Sequence, residues 1–121
     1  MTTHDFGAGP VSAHQHSNGG GWIADTATVA ETAYVGPDAQ IYGNARIYGY
    51  ARIYDNAQIY GNAWIHDNAW IHGNAQIHGN AQISGNALIY GNAQIYGNTQ
   101  ISGNAQITWP QRYSVGLSWW L

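Results

Sequence analysis

Three histidines at six-residue spacing are the side chains of this sequence best suited to chemistry. His66, His72 and His78 each follow an isoleucine. Imidazoles bind zinc and act as general bases, so a cluster of them would indicate a metal centre or a proton-transfer site. Residues in extended chain, however, are separated by roughly 16 Å over such an interval, whereas zinc holds its ligands at about 2 Å. We therefore predict no metal site within one chain.

The composition limits the classes of function that the chain can have. Its 121 residues suffice for one domain, only 7% are charged, and the three Lys and Arg residues against six acids give a formal net charge of −3. Nucleic-acid binding requires a basic surface that releases counterions from phosphates, and none is supplied here. There is no cysteine, so disulfides and thiolate metal sites are excluded. We expect no cofactor.

The start of the chain gives no sign of export or membrane insertion. Residues 1–9 contain no basic stretch followed by an apolar run, and no segment reaches the roughly 20 apolar residues needed to span a bilayer. We therefore expect a protein that is cytoplasmic by default, or associated with a virion.

An internal repeat of six residues organises most of the sequence. An aliphatic residue returns at every sixth position from Ile23 to Ile107, fifteen times without a slip, and a small residue, usually alanine, follows four positions later. The repeated unit is I-Y-G-N-A-Q with substitutions. Repeats of this length are typical of solenoids, in which each unit packs only against its neighbours.

The elements that carry the histidines follow from this period. Six residues fit neither an α-helix nor a long strand, so each unit is predicted to be a short strand followed by a corner. In A-Q-I the alanine and isoleucine face inward, and the G-N pair provides turn chemistry. Three equal sides close as a triangle, so three units form one coil and the fifteen units form about five. We predict an all-β, parallel β-helix.

The repeats resemble those of a known superfamily. The pattern aliphatic, x, x, Gly or Asn, small, x runs from Ile23 to Ile107, which is most of the chain, and is similar to the hexapeptide-repeat left-handed parallel β-helix. The I-Y-G-N-A-x units most resemble uncharacterised bacterial and phage-type members. Left-handed winding is what the resemblance implies, since parallel crossovers are generally right-handed.

The period also divides the chain. Residues 1–21 are predicted to be a flexible N-terminal arm, residues 22–108 the β-helix, and residues 109–121 a C-terminal cap, since solenoid ends need to be covered. The predicted cap breaks the period at Pro110 and is rich in tryptophan.

Residues three units apart should become vertical neighbours, which predicts ladders of like side chains on each side. Two interpretations of the first ladder remain open. Stacked amides and rings could hold the coils together, or could form a flat face that binds carbohydrate or a second copy. The candidate binding face comprises Gln40, Tyr42, Gln58, Tyr60, Gln76, His78, Gln94 and Tyr96.

These patterns favour a non-catalytic scaffold that displays its outward ladders and self-associates as a trimer or an end-to-end polymer. The resemblance implies one enzymatic alternative, a trimeric acyltransferase, for which His66, His72 or His78 would be the candidate base. Such enzymes interrupt the repeat with a loop and recruit basic residues to coenzyme A, and the sequence has neither feature. Ice binding is disfavoured because threonine is sparse in the later repeats.

Overall fold

The computed structural model describes residues 2–108 together with the strands at 112–113 and 118–119. These residues form nineteen strands, most of them only two residues long. No helix among them is long and apolar enough to cross a membrane. The strands are β1 Thr3–Asp5, β2 Pro10–Gln15, β3 Trp22–Ala24, β4 Thr28–Val29, β5 Tyr34–Val35, β6 Gln40–Ile41, β7 Arg46–Ile47, β8 Arg52–Ile53, β9 Gln58–Ile59, β10 Trp64–Ile65, β11 Trp70–Ile71, β12 Gln76–Ile77, β13 Gln82–Ile83, β14 Leu88–Ile89, β15 Gln94–Ile95, β16 Gln100–Ile101, β17 Gln106–Ile107, β18 Arg112–Tyr113 and β19 Ser118–Trp119.

Three sheets share these strands, and from β3 onward each strand pairs in parallel with the strand three places later. The first sheet has the order β1-β2-β3-β6-β9-β12-β15-β18, the second β4-β7-β10-β13-β16-β19, and the third β5-β8-β11-β14-β17. Gln40 lies opposite Gln58 and Ile41 opposite Ile59, so the register equals three repeat units. The chain is thus a parallel β-solenoid of about five turns, which confirms the prediction at that level.

The core is a set of stacked isoleucines and alanines. From Ile41 to Ile107 every sixth residue is an isoleucine with at most 1% of its surface exposed, and the repeat alanines from Ala33 to Ala105 are equally buried. Thr99 takes an alanine position in this core, and its hydroxyl donates a hydrogen bond to the Tyr96 carbonyl at 2.8 Å. Because that bond satisfies the hydroxyl, the core accommodates one polar group without an unpaired donor.

Backbone hydrogen bonds join successive turns at the corners as well as along the strands. The Gln58 N–H donates to the Ala75 carbonyl at 3.0 Å, and the Tyr60 N–H donates to Ile77 at 2.9 Å. At the corner that follows, the Asn62 N–H donates to the Gly79 carbonyl at 2.8 Å. Parallel pairing therefore continues around the bend, which fixes the separation of the turns there too.

The corners depend on a residue that accepts positive φ. Gly61 has φ of +67°, and a Cβ at this position would lie 2.9 Å from the Gly79 nitrogen, so both conformation and space favour glycine. Asp67 occupies an equivalent corner with φ of 62°. Its Oδ2 accepts a hydrogen bond from the Gly85 N–H at 3.2 Å, which offsets part of the cost of the left-handed conformation.

The N-terminal segment, which the sequence analysis treats as a flexible arm, adopts regular structure. Strands β1 and β2 form an antiparallel hairpin, and β2 pairs antiparallel with β3 so that Ala13 lies opposite Ala24. Both alanines are buried at 3% exposure. The hairpin thus extends the first sheet beyond its first parallel strand.

The loop after the hairpin covers the start of the third sheet. The Val35 N–H donates to the Asn18 carbonyl, and the Gly21 N–H donates to the Val35 carbonyl, both at 3.0 Å. The buried ring of His16 donates from Nε2 to the Ala33 carbonyl at 2.8 Å. Because exposed strand edges invite further pairing, these contacts explain why the segment is ordered here.

At the other end, two short strands continue the register of the solenoid. Gln94 lies opposite Arg112, and Gln100 lies opposite Ser118, which is the same interval of three repeat units. The remainder of the predicted 109–121 cap lies outside the described residues, so the cap stays a prediction.

Replacing Asp67 tests the explanation of the corners. Asp67→Ala keeps a Cβ at positive φ and removes the acceptor of the Gly85 N–H, so we expect a loss of about 1 kcal/mol in the free energy of unfolding. Asp67→Gly removes the same acceptor but relieves the backbone, so it should be close to the wild type. Chemical denaturation followed by circular dichroism measures both. Equal stability of the two variants would contradict the explanation.

Candidate functional site

The three histidines of the repeat lie on three different sheets. His66 follows β10 of the second sheet, His72 follows β11 of the third, and His78 follows β12 of the first. Each ring contacts its own neighbours: His66 lies 5.6 Å from the ring of Trp64, centroid to centroid. The structure therefore does not bring the candidate catalytic residues together.

The candidate binding face forms one continuous column of rings on the first sheet. Tyr42 and Tyr60 stack with centroids 4.7 Å apart and planes 5° from parallel, and Tyr60 and His78 stack at 4.7 Å and 6°. His78 and Tyr96 follow at 5.4 Å and 6°. Phe6 of the hairpin stacks on Tyr42 at 4.9 Å, so it covers the first ring of the column.

The other half of that face is a row of glutamines beside the rings. Gln58, Gln76 and Gln94 lie opposite one another in register, as the sequence analysis expects, and Gln40 continues the row. Asparagines stack at the corners in the same manner, and the Asn62 amide nitrogen lies 3.4 Å from the Asn80 amide oxygen. Side chains of this face thus contact their own counterparts on adjacent turns.

Stacking alters the acid–base properties of the ladder. Burial, with a smaller contribution from the neighbouring Tyr60, raises the pKa of Tyr42 above its usual 10.0. Burial lowers the pKa of His78 below its usual 6.5. Both shifts favour the neutral form of these two rings.

A second stack occupies the third sheet. Tyr54 and His72 stack at 4.7 Å with planes 2° apart, and His72 and Tyr90 stack at 5.4 Å. The Asp55 carboxylate lies 3.5 Å from Nδ1 of His72 and accepts a hydrogen bond from the Gly73 N–H at 3.1 Å. Burial first, and then the charge of Asp55, raises the pKa of Tyr54.

Two arginine–tryptophan pairs form contacts that the sequence analysis did not assign to a site. The Arg46 guanidinium lies 5.3 Å from the Trp64 ring centroid, and that of Arg52 lies 5.0 Å from the Trp70 centroid. Both tryptophans are exposed, at 37% and 41%. The signal was present in the sequence, because each arginine precedes its tryptophan by three repeat units, the interval of one turn.

One of these pairs lines a cavity of about 410 Å³ near the N-terminal end of the third sheet. We refer to it as the third-sheet groove. Four of its residues are aromatic, one is a cation, and two are small polar residues from the N-terminal loop and the first turn. It is lined by Asn18, Thr32, Tyr34, Tyr50, Arg52, Tyr54 and Trp70.

Comparison with known families agrees with this geometry. A family described as YdcK beta solenoid repeat matches residues 39–55, 51–67, 57–73 and 81–97. Each matched segment begins at an alanine of the core and spans just under one turn of the solenoid. The chain is a β-solenoid repeat protein. No curated protein and no solved structure gives a significant match to this β-solenoid.

The stacked position of His78 predicts a pH dependence of stability. Because its folded pKa is below that of the unfolded chain, the unfolded state binds the proton first as the pH falls. The contribution of His78 should thus be lost as the pH falls from above 6.5 to below the folded pKa. In His78→Tyr this loss should be absent, as measured by denaturation between pH 8 and pH 5. An NMR titration of the wild-type His78 ring with a midpoint above 6.5 would contradict the assignment.

Proposed function

We propose that this β-solenoid is a non-catalytic structural scaffold, wound as a left-handed, triangular β-helix of the hexapeptide-repeat type. The observation that carries the proposal is the stacking of its outward side chains on their counterparts in adjacent turns. In the first-sheet column the faces of Tyr60 and His78 are covered by neighbouring rings at 4.7 and 5.4 Å. Rings whose faces are covered stabilise the rod, and their edges alone are left for a partner.

The N-terminal edges of the first and third sheets are short or covered, which supports a discrete particle over an open-ended polymer. The hairpin extends the first sheet to the three-residue strand β1, and the following loop bonds to Val35 at the edge of the third sheet. Short or covered edges hinder the addition of another chain. We therefore propose that self-association, where it occurs, involves the sides of the rod and the candidate ladder of Gln40, Tyr42, Gln58, Tyr60, Gln76, His78, Gln94 and Tyr96.

A combined histidine variant tests the scaffold role. His66→Ser, His72→Tyr and His78→Tyr introduce residues that the chain already uses in the same columns, such as Ser84, Tyr90 and Tyr96. The scaffold role predicts that the variant keeps the wild-type stability and mass. Thermal denaturation measures the first, and light scattering after size-exclusion chromatography measures the second.

The acyltransferase alternative makes the opposite prediction for the wild type. A trimeric enzyme should bind coenzyme A with measurable heat, whereas a scaffold should give none at millimolar coenzyme A in calorimetry. A discrete trimer that binds coenzyme A, with binding or acyl transfer lost in the histidine variant, would contradict the proposal.

A further inference from the structure

We infer that the third-sheet groove binds an acidic saccharide, with a pyranose ring on Tyr54 and a sugar carboxylate on Arg52. This inference is independent of the scaffold role. It assigns ligand binding to a part of the surface different from the candidate ladder of the first sheet.

In the described part of the third-sheet column, the ring of Tyr54 has a stacked ring on one side only. Tyr54 stacks on His72 on one side, at 4.7 Å. On its other side, one turn earlier, the column holds Gly36, which has no side chain. A Cβ placed on Gly36 would lie 3.1 Å from the Tyr54 Cβ, so the two positions are direct neighbours. The Tyr34 ring lies beside that position, with its Cε1 3.5 Å from the Cβ placed on Gly36, but among the described residues no ring of the preceding turn stacks on Tyr54.

The first sheet shows what happens to such an opening when the chain fills it. There the residue one turn before Tyr42 is Ala24, which is also too small to stack. Phe6 from the N-terminal hairpin takes the vacant place and stacks on Tyr42 at 4.9 Å. Tyr54 has no such ring stacked on it from the described N-terminal residues, and it lines the groove together with Tyr34 and Tyr50. Aromatic rings with an accessible face present a surface on which the apolar C–H face of a pyranose packs.

Arg52 supplies the positive charge of the groove. The Arg52 side chain is exposed, and its guanidinium rests on the Trp70 ring at 5.0 Å. Among the described residues, the carboxylates within 4 Å of a basic side chain lie beside histidines, and none lies beside Arg52. A stacked guanidinium with unused donors matches a carboxylate in bidentate geometry.

Asn18 and Thr32 give the groove a polar lining. Asn18 donates from its amide nitrogen to the Ala33 carbonyl at 3.2 Å, and the Thr32 hydroxyl donates to the Gly49 carbonyl. These bonds fix the two side chains. The amide oxygen of Asn18 and the hydroxyl oxygen of Thr32 still have lone pairs that can accept hydrogen bonds from ligand hydroxyls. A volume of about 410 Å³ is within the range of small-molecule sites.

Charge distinguishes this ligand from a polyanion. The groove contains one arginine, and the chain has a net charge of −3, so a phosphate backbone would find little neutralisation. A sugar that carries a single carboxylate beside neutral hydroxyls matches one guanidinium, several aromatic rings and two small polar residues. Hexuronates have this chemistry.

The test uses the methyl glycoside of galacturonic acid, which carries one carboxylate, and its uncharged methyl ester, each titrated by calorimetry and by tryptophan fluorescence. We expect the wild type to bind the acid, and Arg52→Gln to weaken that binding by about tenfold or more. Tyr54→Leu should weaken binding of the acid and the ester alike. The matched control is Arg46→Gln, which removes the equivalent arginine over Trp64, outside the groove, and should leave the affinity unchanged.

Three results would overturn the inference. They are no binding of the acid at millimolar concentration, equal affinity for the acid and the ester, and an equal loss of affinity in Arg46→Gln and Arg52→Gln. Circular dichroism of each variant establishes that the fold is retained. Light scattering tests a second copy as the occupant, since a mass that falls in Arg52→Gln would assign the groove to a protein interface instead.

Discussion

Backbone hydrogen bonds between successive turns are the interaction on which the other features of this β-solenoid depend. They join each turn to the next at the strands and at the corners alike, as from Asn62 to Gly79 at 2.8 Å. Because they hold the turns in a register of three repeat units, every outward side chain lies against its counterpart one turn away. Rings at that interval can therefore stack, and the column through Tyr42 and Tyr60 is the direct result.

The same register decides where ligand chemistry can occur. It separates His66, His72 and His78 onto three sheets, although they are close in sequence. Within a column, the register also covers both faces of each inner ring with the rings of adjacent turns. A ring with one uncovered face therefore occurs where a column begins. Phe6 covers that place on the first sheet, whereas Gly36 supplies no ring to stack on Tyr54 on the third.

The repeat was sufficient to predict the parallel β-solenoid of about five turns and its buried isoleucines, because identical units leave few ways to bury Ile65 and its equivalents. The N-terminal segment has no such period. Its order rests on contacts with distant residues, such as His16 with Ala33, that no local pattern indicates. The groove was missed for the same reason, since one of its residues, Asn18, lies in that segment.

Paired cysteines measure the register most directly, since the chain has no cysteine of its own. Asn62 and Asn80 lie on adjacent turns and are exposed, with side-chain atoms 3.4 Å apart, so Asn62→Cys with Asn80→Cys should form an intramolecular disulfide under mild oxidation. Asn62→Cys with Asn74→Cys, closer in sequence but on different corners, should stay reduced in the monomer. Cross-linking of the second pair in preference to the first would contradict the register of three repeat units and all that follows from it.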